Sequence, residues 1–134
     1  MARILIADDD DLMGCMLQNA LMDAGHAVGL LGNGYDALRT ILTMRPHLVI
    51  LDCDMPEMHG VAVLKHIRCD QALWNLPVLM LTGCRSQSDE DIALYAGANA
   101  YLRKPCDPAY VVFRVEEALE ALRTSDEQVW RAAN

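Results

Sequence analysis

Asp8 and Asp9 stand side by side directly after a short apolar run, Ile4-Leu5-Ile6-Ala7. Asp52 follows a wholly apolar run, Leu48-Val49-Ile50-Leu51, and Asp54 comes two residues later. Thr82 ends a third run that begins at Pro77, and Lys104 closely follows a fourth, Ala100-Tyr101-Leu102. Carboxylates held together repel one another and raise each other's pKa unless a cation intervenes. Hard oxygen ligands in a partly open site suit Mg²⁺, which keeps several waters and takes one or two carboxylates plus phosphate oxygens. Lys104 offers a fixed positive charge to an anion, and Thr82 offers a hydroxyl donor. Metal, lysine and hydroxyl together serve a phosphoryl group in transfer, whose charge is spread over three oxygens. A carboxylate can be the nucleophile that accepts it, giving an acyl phosphate.

Acids at strand ends often only cap the next helix, and Asp10 and Asp11 read that way. Asp8 and Asp9 do not, because two adjacent acids after a buried strand are costly without a cation. Asp52 ends a strand with no polar residue in it and is the worst placed to be decorative. His59, in the loop from Asp54 to Gly60, reads as a solvent-facing loop histidine more readily than as a metal ligand. The five cysteines (Cys15, Cys53, Cys69, Cys84, Cys106) are odd in number and show no CxxC pair. They read as reduced thiols, small core fillers.

The elements that must position these groups alternate strictly. Short apolar runs at 3–7, 27–31, 47–51, 77–82 and 100–103 read as strands. Amphipathic stretches fall between and after them. Leu12, Met13, Met16, Leu17, Ala20, Leu21 and Ala24 recur at helical spacing, with Gly25 as a C-cap. The second helix covers 35–44 and stops before Pro46; the third covers 61–68. Ser88 with three following acids opens the fourth, which Gly97 ends. Asp107 and Pro108 give an N-cap and an N1 proline to the fifth, expected to run to about Leu122. Five such units mean an α/β parallel sheet with helices on both faces. In sheets of this kind the site lies outside the carboxyl ends of the strands. All the chemistry-bearing residues sit there.

Four segments carry a family resemblance: ILIADDD at 4–10, LVILDCDMPEMHG at 48–60, PVLMLTG at 77–83 and YLRKP at 101–105. Together, in this order and on this alternation, they resemble a response-regulator receiver domain of two-component phosphorelay signalling over about residues 3–122. The resemblance implies a doubly wound, flavodoxin-like fold with strand order 2-1-3-4-5. It implies phosphorylation at Asp52, with Asp9 a direct Mg²⁺ ligand, Asp8 a water-mediated one, and Asp54 lending a backbone carbonyl. It implies that Thr82 and Lys104 contact the phosphoryl oxygens, that Tyr101 turns inward as a switch when Thr82 moves, and that Lys104-Pro105 is a cis peptide. The message would leave through the fourth helix, fifth strand and fifth helix. The implied donor is a sensor histidine kinase or a histidine phosphotransfer protein. The implied receiver of the message is a protein target or an output domain not visible here. A monomer or a phosphorylation-dependent dimer is expected. Met13 and Met16 are candidates for kinase docking, though both fit the buried stripe of their helix. The chain departs from the family at Cys106, where phenylalanine is usual, and at Asp54 and Cys84, positions that in the family tune phosphoryl lifetime.

A second reading is a haloacid-dehalogenase-type phosphohydrolase, with Asp52-Cys53-Asp54 as its nucleophile motif. Against it, the acid pair precedes the nucleophile, and no stretch is long enough for a cap domain. The first reading describes a signalling domain, not an enzyme. The chain of 134 residues, 53% apolar and 22% charged, is one domain's worth. The receiver would occupy 1–122, with 123–134 a helix extension or tail. Nineteen acids against eleven bases give a net charge of −8. That counts against nucleic acid binding by the domain itself and against docking on an anionic membrane. The short apolar run at the start is neither a signal peptide nor a membrane span, so a cytoplasmic location is expected.

Overall fold

The structure is a computed structural model, and it describes residues 1–83 and 86–133. The chain alternates β1(Arg3–Ala7), α1(Asp11–Asp23), β2(Ala27–Leu31), α2(Gly34–Met44), β3(Leu48–Leu51), α3(Gly60–Cys69), β4(Val78–Thr82), α4(Gln87–Tyr95), β5(Ala100–Arg103) and α5(Pro108–Ala133). The strands form one parallel sheet in the order β2-β1-β3-β4-β5, the expected doubly wound arrangement.

Period-two alternation along each strand divides the core into two layers. Ile4, Ile6, Leu48, Ile50, Leu79 and Leu81 face α1 and α5, where Leu17, Leu21, Val111 and Val115 meet them. Leu5, Val49, Leu51, Val78 and Met80 face the other way, onto Ala37, Ile41, Val63, Leu64 and Ile67 of α2 and α3. Because β3 and β4 are covered on both faces, every residue in them is buried.

Several boundaries follow from caps. Asp10 caps α1 by accepting from Met13 N, as expected, but Asn33 also caps α2 by accepting from Asp36 N. Ser86, not Ser88, caps α4, accepting from Asp89 N. The α1 stripe is shifted: Gly14, Leu17 and Leu21 are buried, whereas Leu12, Met16 and Ala24 are exposed. Met13 is half-buried against the core. Of the cysteines, Cys53 alone among the described residues is a buried filler. Cys15 and Cys69 are exposed, Cys106 is half-buried, and Cys84 lies outside the described residues. α5 runs past Leu122 and continues as helix to Ala133.

Arg68 ties the far side of the sheet together. Its guanidinium donates to the carbonyls of Gly97, Leu73 and Trp74 and to Asn99 Oδ1. Asn99 Oδ1 also accepts from Val78 N, at the start of β4. One half-buried cation thus orders the turns before β4 and β5.

Candidate functional site

Strand register decides which residues meet. Ala7 is opposite Leu51 in the β1–β3 pairing, and Asp52 N donates to Ala7 O at 2.9 Å. Asp8 and Asp52, each the next residue, therefore leave the sheet side by side. Thr82 is opposite Arg103, and Lys104 N donates to Thr82 O at 2.9 Å. That pairing brings Lys104 to the same edge. Asp8, Asp52 and Thr82 are the buried polar or charged residues of the described chain.

One carboxylate oxygen from each of Asp8, Asp9 and Asp52 lies within 4.8 Å of the others. Lys104 Nζ sits 2.8 Å from Asp8 Oδ2 and 3.4 Å from Asp52 Oδ2. Asp8 Oδ1 also accepts from Asp10 N at 2.9 Å, and Asp52 Oδ1 from Asp54 N at 3.3 Å. Burial, with the nearby Asp52 charge adding to it, pushes the Asp8 carboxyl above its ordinary value despite those hydrogen bonds. For Lys104, burial disfavours the charge. The Asp8 hydrogen bond and the two carboxylates outweigh it and hold the ammonium above its ordinary value. The lysine is a fixed cation between two acids.

Not every expected group points inward. The Asp54 side chain is 71% exposed, so the carboxylates that converge among the described residues are those of Asp8, Asp9 and Asp52. Its backbone remains beside Asp52. The His59 side chain is 74% exposed, with Nδ1 against Cys53 O at 3.2 Å, as a solvent-facing loop histidine should be. Lys104-Pro105 is cis. Tyr101 is buried in the α2–α3 side of the core, already inward. Burial raises the Cys106 thiol above its ordinary value, with Asp107 adding to the effect.

Two glycines shape the site and were passed over in the sequence. A Cβ on Gly60 would lie 2.1 Å from Asp52 O and 2.9 Å from Asp52 C. A Cβ on Gly34 would lie 1.9 Å from Met58 O. α3 begins at Gly60 because its backbone packs directly on the Asp52 peptide, with Gly60 N donating to Cys53 O at 2.9 Å. The available signal was a glycine opening a helix straight after an acid-rich loop.

Residues 4–116 match the response regulator receiver domain family. The chain belongs to that family. It is 36% identical over 125 residues to the DNA-binding response regulator MtrA of Mycobacterium tuberculosis, covering 93% of this chain and 53% of that protein. It is 33% identical over 117 residues to the alkaline phosphatase synthesis transcriptional regulatory protein PhoP of Bacillus subtilis, covering 87% of this chain and 48% of that one. This receiver domain thus spans about half the length of the curated relatives it matches. Among solved structures it resembles a putative response regulator from Chloroflexus aurantiacus, with a TM-score of 0.84 and 36% identity, covering 89% of this chain and 98% of that one. A CheY-like receiver domain protein from Methanospirillum hungatei superposes with a TM-score of 0.87 at 26% identity, covering 93% and 98%. These likenesses establish a receiver domain of two-component signalling and give the phosphohydrolase reading no support. Among the described residues, no helix is long and apolar enough to cross a membrane.

Proposed function

We propose that Asp52 is the phosphoacceptor of this receiver domain. The observation that carries the reading is the Asp8–Lys104–Asp52 arrangement, in which one cation touches two buried carboxylates at the carboxyl end of the sheet. A carboxylate oxygen of Asp52 attacks the phosphorus of a phosphohistidine. The P–N bond breaks, a P–O bond forms, and the imidazole leaves and takes up a proton. Lys104 then donates to a phosphoryl oxygen in place of a carboxylate, and the Thr82 hydroxyl donates to another.

The oxygen-rich cluster of Asp8, Asp9 and Asp52 fits a hard divalent cation such as Mg²⁺, with Asp9 and Asp52 as direct ligands, Asp8 acting through water, and the Asp54 carbonyl completing the protein's share. Bound there, Mg²⁺ neutralises charge on the transferred group. The donor is a sensor histidine kinase or a histidine phosphotransfer protein. Movement of Thr82 toward the phosphoryl group, with Tyr101 packed beneath, alters the surface of α4, β5 and α5 for a protein target or an output domain. The domain assists its own phosphorylation and dephosphorylation and turns over no other substrate.

Labelling with phosphoramidate in Mg²⁺ tests this reading, using Asp52→Asn as the comparison. The wild-type chain should gain one acid-stable, base-labile phosphoryl group and the variant none. Undiminished labelling of the variant would overturn the assignment.

A further inference from the structure

Beyond Leu122, α5 leaves the body of the domain, and every residue from Arg123 to Ala133 is exposed. The stripe that the helix buries does not stop there. Val111, Val115 and Ala118 pack on the sheet, and the same spacing of four and three continues through Leu122, Ser125, Val129 and Ala132. Larger and smaller side chains alternate along it: Val115, Ala118, Leu122, Ser125, Val129, Ala132. Isolated helices shorter than about 12–15 residues are marginal in water. Arg123 supports this one through ion pairs with Glu120 and Glu127, but such exposed pairs contribute little. Val129 is 68% exposed at a position where the repeat asks for a packing partner.

We propose that a second copy of this chain covers the stripe, with the two α5 ends running antiparallel. In that direction Leu122 lies opposite Ala132 of the other copy, and Ser125 opposite Val129. Each large side chain meets a small one, which allows the helices to approach closely. A parallel pair would set Leu122 on Leu122 and serine on serine. It would also force each domain, which lies on the stripe side of its own helix, into the space of its neighbour's helix. Antiparallel pairing instead sends each helix end toward the base of the other domain. There is room at that base: three cavities of about 460, 440 and 230 Å³ share Leu122 in their walls. Charge permits the pairing as well. The whole chain carries −8, but in residues 122–133 Arg123 and Arg131 balance Asp126 and Glu127. The two Asp126 side chains flank the two-fold axis, the one like-charge contact in the arrangement.

Sedimentation equilibrium of the unphosphorylated full chain is the test. The expected result is twice the single-chain mass of 14.9 kDa. Val129→Asp, far from the folded body, should weaken association by at least about tenfold and leave phosphoramidate labelling of Asp52 unchanged. Asp126→Asn should tighten association, because it removes the repulsion at the axis. A single-chain mass for the wild type up to millimolar concentration would overturn the proposal. So would a dimer that Val129→Asp leaves intact, or an association that Asp126→Asn does not strengthen. Labelling at Asp52 is read separately, so failure here leaves the phosphoacceptor assignment untouched.

Discussion

Lys104 Nζ lies 2.8 Å from Asp8 and 3.4 Å from Asp52. The lysine is held more closely by the acid that follows β1 than by the acid that follows β3. It therefore neutralises the Asp8 carboxylate first, and the Asp52 carboxylate lies within a short movement of it. The side chains concerned are almost wholly buried, so these charges are weakly screened.

Asp8 should cost stability in the metal-free domain. Its pKa is raised in the folded chain, so the folded state binds the proton more tightly than the unfolded state does. Stability is then highest below the unfolded value of about 3.9. It falls as pH rises through the window up to the folded value and stays reduced above it. Asp8→Asn keeps an oxygen for Asp10 N and Lys104 but removes the charge. Urea denaturation in EDTA at neutral pH should find the variant more stable than wild type. A variant less stable under those conditions would contradict the burial argument.

Divalent cation should stabilise the wild-type fold by mass action. At one hundred times its dissociation constant, a ligand that binds only the native state adds about 2.7 kcal/mol. Thermal melts in Mg²⁺ and in EDTA read this directly. Asp9→Ala should abolish the difference, because it removes one carboxylate from the Asp8, Asp9 and Asp52 cluster proposed to hold the ion. An equal Mg²⁺ shift in that variant would place the ion elsewhere.

Gly60→Ala should damage both fold and site. The added methyl would meet backbone atoms of Asp52 and Cys53, which cannot rotate away. Overpacking of this kind costs about 1–3 kcal/mol. Any relief must move the peptide that carries Asp52, so phosphoramidate labelling should slow even at temperatures where the variant is fully folded. Normal labelling rates with the stability loss alone would mean that the strain is absorbed by α3.

His47 supplies a separate pH signature at the opposite end of the sheet. Its Nδ1 accepts from Arg3 N at 2.9 Å, so that nitrogen is unprotonated. Burial, followed by the charges of Arg3 and the N-terminus, lowers its pKa. The unfolded chain therefore binds the proton more readily. The stabilisation is complete above about pH 6.5, the unfolded histidine value, and is lost as pH falls through the lower folded value. Denaturation curves between about pH 7 and 5 should show a smaller loss of stability in His47→Gln than in wild type. Identical slopes would remove His47 from the balance.

Much of this fold was legible because burial leaves a plain mark. β3 and β4 are covered on both faces, so they read as unbroken apolar runs, and Asp52 after the first and Thr82 at the end of the second stood out. The α1 stripe was less legible. Leu12, Met16 and Ala24 are apolar yet exposed, and helical spacing alone cannot tell a buried methionine from a surface one. The helix continues through Thr124-Ser125-Asp126, with Arg123 bridging Glu120 and Glu127 across that stretch. The α4 cap moved from Ser88 to Ser86 because either serine is followed by acids, and only the backbone shows which amide is capped.

The order of apolar runs and acids determined by itself that a parallel sheet would carry Asp8, Asp9, Asp52, Thr82 and Lys104 at one end. That follows because residues directly after parallel strands must emerge on the same side. Tertiary structure decided the rest. Register placed Asp8 beside Asp52, packing closed Gly60 onto the Asp52 peptide, and the Asp54 carboxylate turned outward to solvent. It also gave Lys104 its closer partner. A lone sequence names the charges, but the distances between charges from separate strands depend on how those strands pair, and distance governs what the charges do to one another.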